Sequence, residues 1–189
     1  MQNFIEEQTF ENKIFSKYEF EKGDYELCKF INCDFQNSDL SNSQFIDCEF
    51  HDCDLSSIIV SDTGLQNVHF KDCKMLGIDF EKCSDFALEL NFKNCQLNHA
   101  SFNNKKLAKT VFENCKIQGV DFRDCHLNSA VFNHCDLLNS TFLNANLNNV
   151  DFRSAKNFSI DPEKNNLSGA RFSLFTVEGL LHKYKIKIE

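Results

Sequence analysis

The chain of 189 residues has no tryptophan, one proline and only six glycines, and these gaps already remove several function classes. The glycines are dispersed, so no glycine-rich loop is present to cradle a phosphate. No apolar run approaches the ~20 residues that a membrane-spanning helix needs. The opening stretch MQNFIEEQTF lacks a basic region followed by an apolar one, so no secretory leader is expected. Basic side chains are scarce where acidic ones gather: residues 1–60 hold 13 acidic and 4 basic, while the remainder is almost balanced. Direct binding to nucleic acid needs clustered Lys and Arg, so this distribution argues against it and suits a protein partner with a basic surface.

The chain is instead rich in phenylalanine, with 21, and they fall periodically. From Phe10 to Phe80 every fifth residue is large and apolar; from Phe92 to Phe152 the same rhythm returns two positions late. A period of five is neither the 3.6 of a helix nor the 2 of a flat strand. Two residues before each large residue stands a small or medium one, often Cys, Ser or Ala. Three residues before it, the ten successive positions from Asn32 to Gly77 are all Asn, Asp, Ser or Gly, which tolerate tight or left-handed backbone. Each unit therefore reads as a short extended segment and a corner, with a small and a large residue pointing inward.

Identity recurs at a longer interval. Phe10, Phe30, Phe50, Phe70, Phe92, Phe112, Phe132, Phe152 and Phe172 form one column of like residues, twenty apart except across the shift. Twenty residues make four five-residue sides. The expected fold is all-β, a four-sided solenoid of about eight coils, roughly 40 Å long at ~4.8 Å per rung. No coil can bury its own interior, but stacked coils share one core. A single domain over 1–189 follows, with an N-terminal cap at 1–9, the array at 10–172 and a C-terminal cap at 173–189. The array carries a two-residue excess within 81–91. There Asp85, Phe86 and Ala87 compete for one inward slot. Phe86 is expected to fill it; a protruding bulge would be a contact site instead.

The ten cysteines keep the same register. Cys33, Cys53, Cys73, Cys95, Cys115 and Cys135 form a column in the small inward position, where free Cys serves as a small buried hydrophobe. No pair has the short spacing of a zinc site, and parallel inward side chains suit disulfides poorly. A thiol-rich interior without a leader points to a reducing cytoplasm. The five histidines within the array avoid inward slots and scatter over different sides, so no catalytic constellation converges. No catalytic, cofactor-binding or metal-binding residues are expected, and neither is a membrane partner. One outward column, Glu19, Asp39, Asp79 and Asp121, leans acidic; it is either a partner-binding face or an ordinary solvated one.

The runs NCDFQNSDLSNSQF (32–45) and ENCKIQGVDFRDCHLNSAVFNHCDLLNSTFLNANLNNVDF (113–152) resemble the pentapeptide repeat family, whose units follow roughly A(D/N)Lxx. The resemblance implies a right-handed quadrilateral β-helix. The tail also resembles that of the Qnr-type quinolone-resistance proteins, through Asp161, Pro162, Asn166, Leu167 and Gly169, then Gly179 to Ile188. A short helix over Leu174, Phe175, Val177, Leu180 and Leu181 is expected there, followed by a strand with Ile186 and Ile188. An apolar end of this kind can pair with its own copy. The Qnr-type resemblance implies such a C-terminal homodimer, and an acidic rod that imitates duplex DNA and binds DNA gyrase or topoisomerase IV, protecting it from fluoroquinolones. The alternative is a non-enzymatic scaffold with another protein partner.

Overall fold

A five-residue segment cannot satisfy its own backbone, so it must pair with the coil above or below. The computed structural model describes residues 3–17 and 20–187; Glu19 and Ile188, named above, lie outside the described residues. Short strands form wherever the outward N–H groups join this pairing. They are β1 (Asn3–Glu6), β2 (Thr9–Glu11), β3 (Gly23–Glu26), β4 (Lys29–Ile31), β5 (Gln44–Ile46), β6 (Glu49–His51), β7 (Gly64–Gln66), β8 (Val68–Lys71), β9 (Leu90–Lys93), β10 (Val111–Glu113) and β11 (Val131–Asn133). One parallel sheet runs β1-β3-β5-β7 and the other β2-β4-β6-β8-β9-β10-β11. The other two sides are held by single parallel bridges, such as Asp34↔Asp54 on one and Asp79↔Ser101 and Ser101↔Asp121 on the other. Parallel crossovers almost always take the right hand, the hand that the resemblance also implies.

The register repeats at twenty residues, as in Phe10↔Phe30, Phe30↔Phe50 and Phe50↔Phe70, and at twenty-two across the shift, as in Phe70↔Phe92. The whole Phe column is stacked, with ring centroids 4.9 Å apart at Phe10–Phe30 and 5.3 Å at Phe152–Phe172. A second stacked column, Phe80, Phe102, Phe122 and Phe142, runs beside it. The two columns meet edge to face, at 79° between Phe102 and Phe112, the geometry that ring quadrupoles favour.

All ten successive corner positions from Asn32 to Gly77 have left-handed backbone, with φ between 50° and 66°. Asn and Asp tolerate this conformation better than other side chains, and glycine carries no penalty.

The seven strands of the larger sheet enclose six turns, fewer than the eight coils expected. Beyond β11 the same column continues only as the single bridges Val131↔Asp151 and Asp151↔Arg171. The reason is local. The Arg153 N–H donates to the Asp151 carboxylate at 3.1 Å, and the corner closes on itself through Ala155 N–H to the Phe152 carbonyl at 3.1 Å. Groups bonded within their own corner leave only one bridge between coils.

Both ends differ from expectation. Residues 3–6 are β1, paired in register with β3, so the lattice reaches into the segment read as a cap. At the other end Asn157 takes a left-handed corner, and Phe158 and Ile160 fill the core. The expected helix is two 3-10 turns, Val177–Leu180 and His182–Tyr184. No strand forms over 185–187, because Lys185 turns left-handed at φ 52° and closes the last turn onto His182. Gly179 seats the cap, since a Cβ there would collide with the carbonyl oxygen and ring of Phe158. Its own carbonyl accepts the Ile160 N–H at 2.9 Å.

Candidate interaction surfaces

All ten cysteines are buried free thiols. Each member of the column also donates to the carbonyl of the Phe one coil below, as Cys33 Sγ to Phe10 at 3.3 Å and Cys135 Sγ to Phe112 at 3.3 Å. The thiol is thus both filler and weak donor. Thr63 takes the same role on another side, donating to the Leu40 carbonyl at 2.9 Å. Burial pushes the Cys48 and Cys125 thiols up to about 12, so neither is a thiolate nucleophile at neutral pH.

The acidic column has a structural cause that its charge alone does not reveal. Asp39 accepts the Ser41 N–H at 2.9 Å, and Asp121 accepts the Arg123 N–H at 3.0 Å. Asp34 and Asp54 do the same on the next side, toward Gln36 and Ser56. A carboxylate or amide just before the core residue caps the N–H two residues on, which explains the D/N of the repeat unit. The carboxylates of the acidic column are also partnered by cations. Lys22 lies 2.6 Å from Asp39, Lys82 lies 3.1 Å from Asp79, and Arg123 forks onto Asp121. The Lys22 ammonium holds the Asp39 carboxyl down at about 2. Between these acids the column carries Ile59 and Ser101, so the negative charge is interrupted.

Asp151 shows the arrangement most fully. It accepts its own corner N–H, is forked by Arg153 at 3.0 and 2.8 Å, and meets Arg171 at 3.0 Å. Arg153 is the main cause that holds its carboxyl below the usual range. A folded-state value below the unfolded one means stability present above ~4 and lost as pH falls through the depressed value. Asp151→Asn keeps an acceptor for the corner but cannot titrate. We expect it to cost under ~1 kcal/mol at neutral pH and to flatten the fall in Tm between neutral and acid pH. Circular dichroism melts across that range test this, and an unchanged acid slope would remove Asp151 from the account.

The two extra residues project outward. Phe86 is 76% exposed, against the expectation that it fills the core, and Asp85 and Ala87 are exposed beside it. Two other side chains close the gap instead. Leu88 packs half-buried against the core, and Lys105 of the next coil points inward with its side chain 5% exposed. The Lys105 Nζ donates to the Cys83 carbonyl at 2.8 Å and to Asp85 Oδ1 at 2.7 Å. Ala87 sits at φ 49°, a conformation that costs an alanine roughly 1–2 kcal/mol. Sequence reasoning misses Lys105, although its place two residues before Leu107 marks the slot as inward.

At the C-terminal end Leu174 and Phe175 are exposed, Val177, Leu180 and Leu181 are half-buried, and Ile186 is exposed. Of the histidines, His51 touches Glu49 at 2.8 Å, which Lys29 also meets at 3.2 Å, and His69 touches Asn67 at 3.0 Å, which in turn donates to Asp47 at 2.6 Å. They border an open groove of about 540 Å³ over β6, β8, β9 and β10. Among the described residues no helix is long and apolar enough to cross a membrane.

No curated protein sequence matches the chain. Among solved structures, QnrB1, a plasmid-mediated fluoroquinolone resistance protein, is 20% identical over 100% of this chain and 99% of its own, with a TM-score of 0.45. HetL, a pentapeptide repeat protein involved in heterocyst differentiation regulation from the cyanobacterium Nostoc sp. strain PCC 7120, is 14% identical over 90% of this chain and 87% of its own, with a TM-score of 0.55. At this identity the likeness to HetL speaks for the fold alone. The family model described as "Pentapeptide repeat region" matches residues 23–102, 84–156 and 105–180. With the five-residue register, the left-handed corners and most of its length matched, the chain belongs to the pentapeptide repeat family.

Proposed function

We propose that this chain is a non-enzymatic rod that acts through its outer surface on a protein with a basic surface. The observation that carries this reading is the filled interior. Stacked phenylalanines and buried thiols occupy the axis of the coils, so recognition is left to the outward rows. Those rows are fixed in spacing by the coil-to-coil pairing, and the first 60 residues hold 13 acidic against 4 basic side chains.

The finer reading is a partner of DNA gyrase or topoisomerase IV. It is favoured by the tail, where the resembling residues hold the cap together: Asp161 meets Lys183 at 2.7 Å, and Gly179 packs on Phe158. Purified protein added to DNA gyrase, with and without a fluoroquinolone, is expected to inhibit supercoiling or relieve the drug at micromolar concentration. Neither effect would withdraw the topoisomerase reading and leave the scaffold with another partner.

A further inference from the structure

The side of the rod built from β1, β3, β5 and β7 differs from the acidic column of Asp39, Asp79 and Asp121. Its outward strand positions and the corners that follow them carry Glu6, Asp24, Glu26 and Asp47, with Phe4 and Leu27 exposed among them, and the lysine at the corner before β3, Lys22, is paired with Asp39. No ion pair among the described residues involves these four carboxylates, whereas Asp39, Asp79 and Asp121 are each matched by a cation. The strand pairing of this side stops at β7, where the bulge stands, and the side resumes beyond it as the single bridges Lys106↔His126, His126↔Asn146 and Asn146↔Asn166. Ser84 and Glu89 still bond to the Thr63 and Leu65 carbonyls, at 2.9 and 3.0 Å, and the residues between them project. Phe86 is therefore presented at the margin of an unpartnered sheet face, on a loop that Lys105 ties down from inside.

We propose that this face, with Phe86 as its apolar anchor, docks a basic amphipathic segment of a partner protein. The assignment rests on the interaction reading above and names its surface. Three features support it together. The carboxylates are free of internal cations, so they can meet Lys or Arg of a partner. A large aromatic side chain is held outward beside a core built of its own kind, and exposed aromatics are the usual anchors of interfaces. A strained alanine and a buried lysine keep it there, and such local costs cluster at functional sites. A second copy of the chain is a poorer match. Arg123, Arg153 and Arg171 are committed to Asp121 and Asp151 on other sides.

The test titrates the full chain with a synthetic alternating Lys–Leu peptide and, in parallel, a Glu–Leu peptide. Backbone amide NMR locates binding and fluorescence anisotropy measures it. The Lys–Leu peptide is expected to shift amides of β1, β3, β5, β7 and residues 84–89, and to weaken as salt rises. Phe86→Ala, whose side chain is exposed and not needed for folding, is expected to lower affinity about tenfold. Asp24→Lys combined with Glu26→Lys is expected to do likewise, while Glu11→Lys combined with Glu81→Lys, equal in charge change on other sides, leaves binding intact. Equal binding of the Glu–Leu peptide, shifts spread over all four sides, or an equal loss in the control variant each overturn the proposal. So do shifts on this face that depend on protein concentration alone, which would give the face to a second copy. A negative gyrase assay with positive peptide mapping removes only the topoisomerase reading; the reverse removes only this face.

Discussion

Phe112→Ala is expected to be the most damaging single substitution in the core, at about 4–6 kcal/mol. Truncating a buried Phe costs ~3–5 kcal/mol through lost transfer energy and the cavity left behind. Phe112 is fully buried and stacks on Phe92 at 5.1 Å and on Phe132 at 4.8 Å, with Phe102 and Phe122 edge-on. Aromatic contacts of this kind add ~0.5–1.5 kcal/mol each beyond area, only part of which is lost when neighbours relax. Typical domains have ~5–15 kcal/mol in all, so much of the stability goes. The end of the column provides the comparison. Phe172 is half-buried and has a stacked neighbour on one side only, Phe152 at 5.3 Å. Phe172→Ala is expected to cost about a third as much, because a solenoid's stability is carried by nearest-neighbour contacts between coils. Urea unfolding of the two variants decides the matter: equal costs would mean that the coils do not share their core in this way.

The periodicity made most of the fold legible, since the inward positions, the corners and the thiol column all follow from spacing. The corners were readable because left-handed backbone selects Asn, Asp, Ser and Gly, and Asn32 to Gly77 comply throughout. Two features were not legible, for the same physical reason. Whether Phe86 points in depends on what the next coil places in the slot, and Lys105 belongs to that next coil. Whether a column forms strand or single bridges depends on where an N–H goes, to a neighbouring coil or to a carboxylate in its own corner. The acidic column was misleading in a related way. Asp39 and Asp121 look like surface charge, but each closes a corner and faces a cation. The unpaired carboxylates were hidden because Glu6, Glu26 and Asp47 belong to three successive coils and meet only when these stack.

Lys105→Ala is expected to cost about 2–4 kcal/mol, most of it local to the bulge. The lost donor leaves the Cys83 carbonyl without its partner, worth ~1–3 kcal/mol when buried. The missing stem leaves a cavity in a slot that Cys125 and Ala145 occupy in the following coils. Asp85 adds little, because its side chain is half exposed and water replaces the ammonium. The sharper question is whether the lysine serves the bulge or merely fills space. Deleting Phe86 and Ala87 restores the twenty-residue spacing and removes the gap that the lysine spans. If Lys105 closes that gap, Lys105→Ala should cost markedly less in the shortened chain, because interacting changes are not additive. A double-mutant cycle by urea unfolding measures the difference. Equal costs in both backgrounds would reduce Lys105 to a space-filler and leave the outward position of Phe86 to the backbone alone.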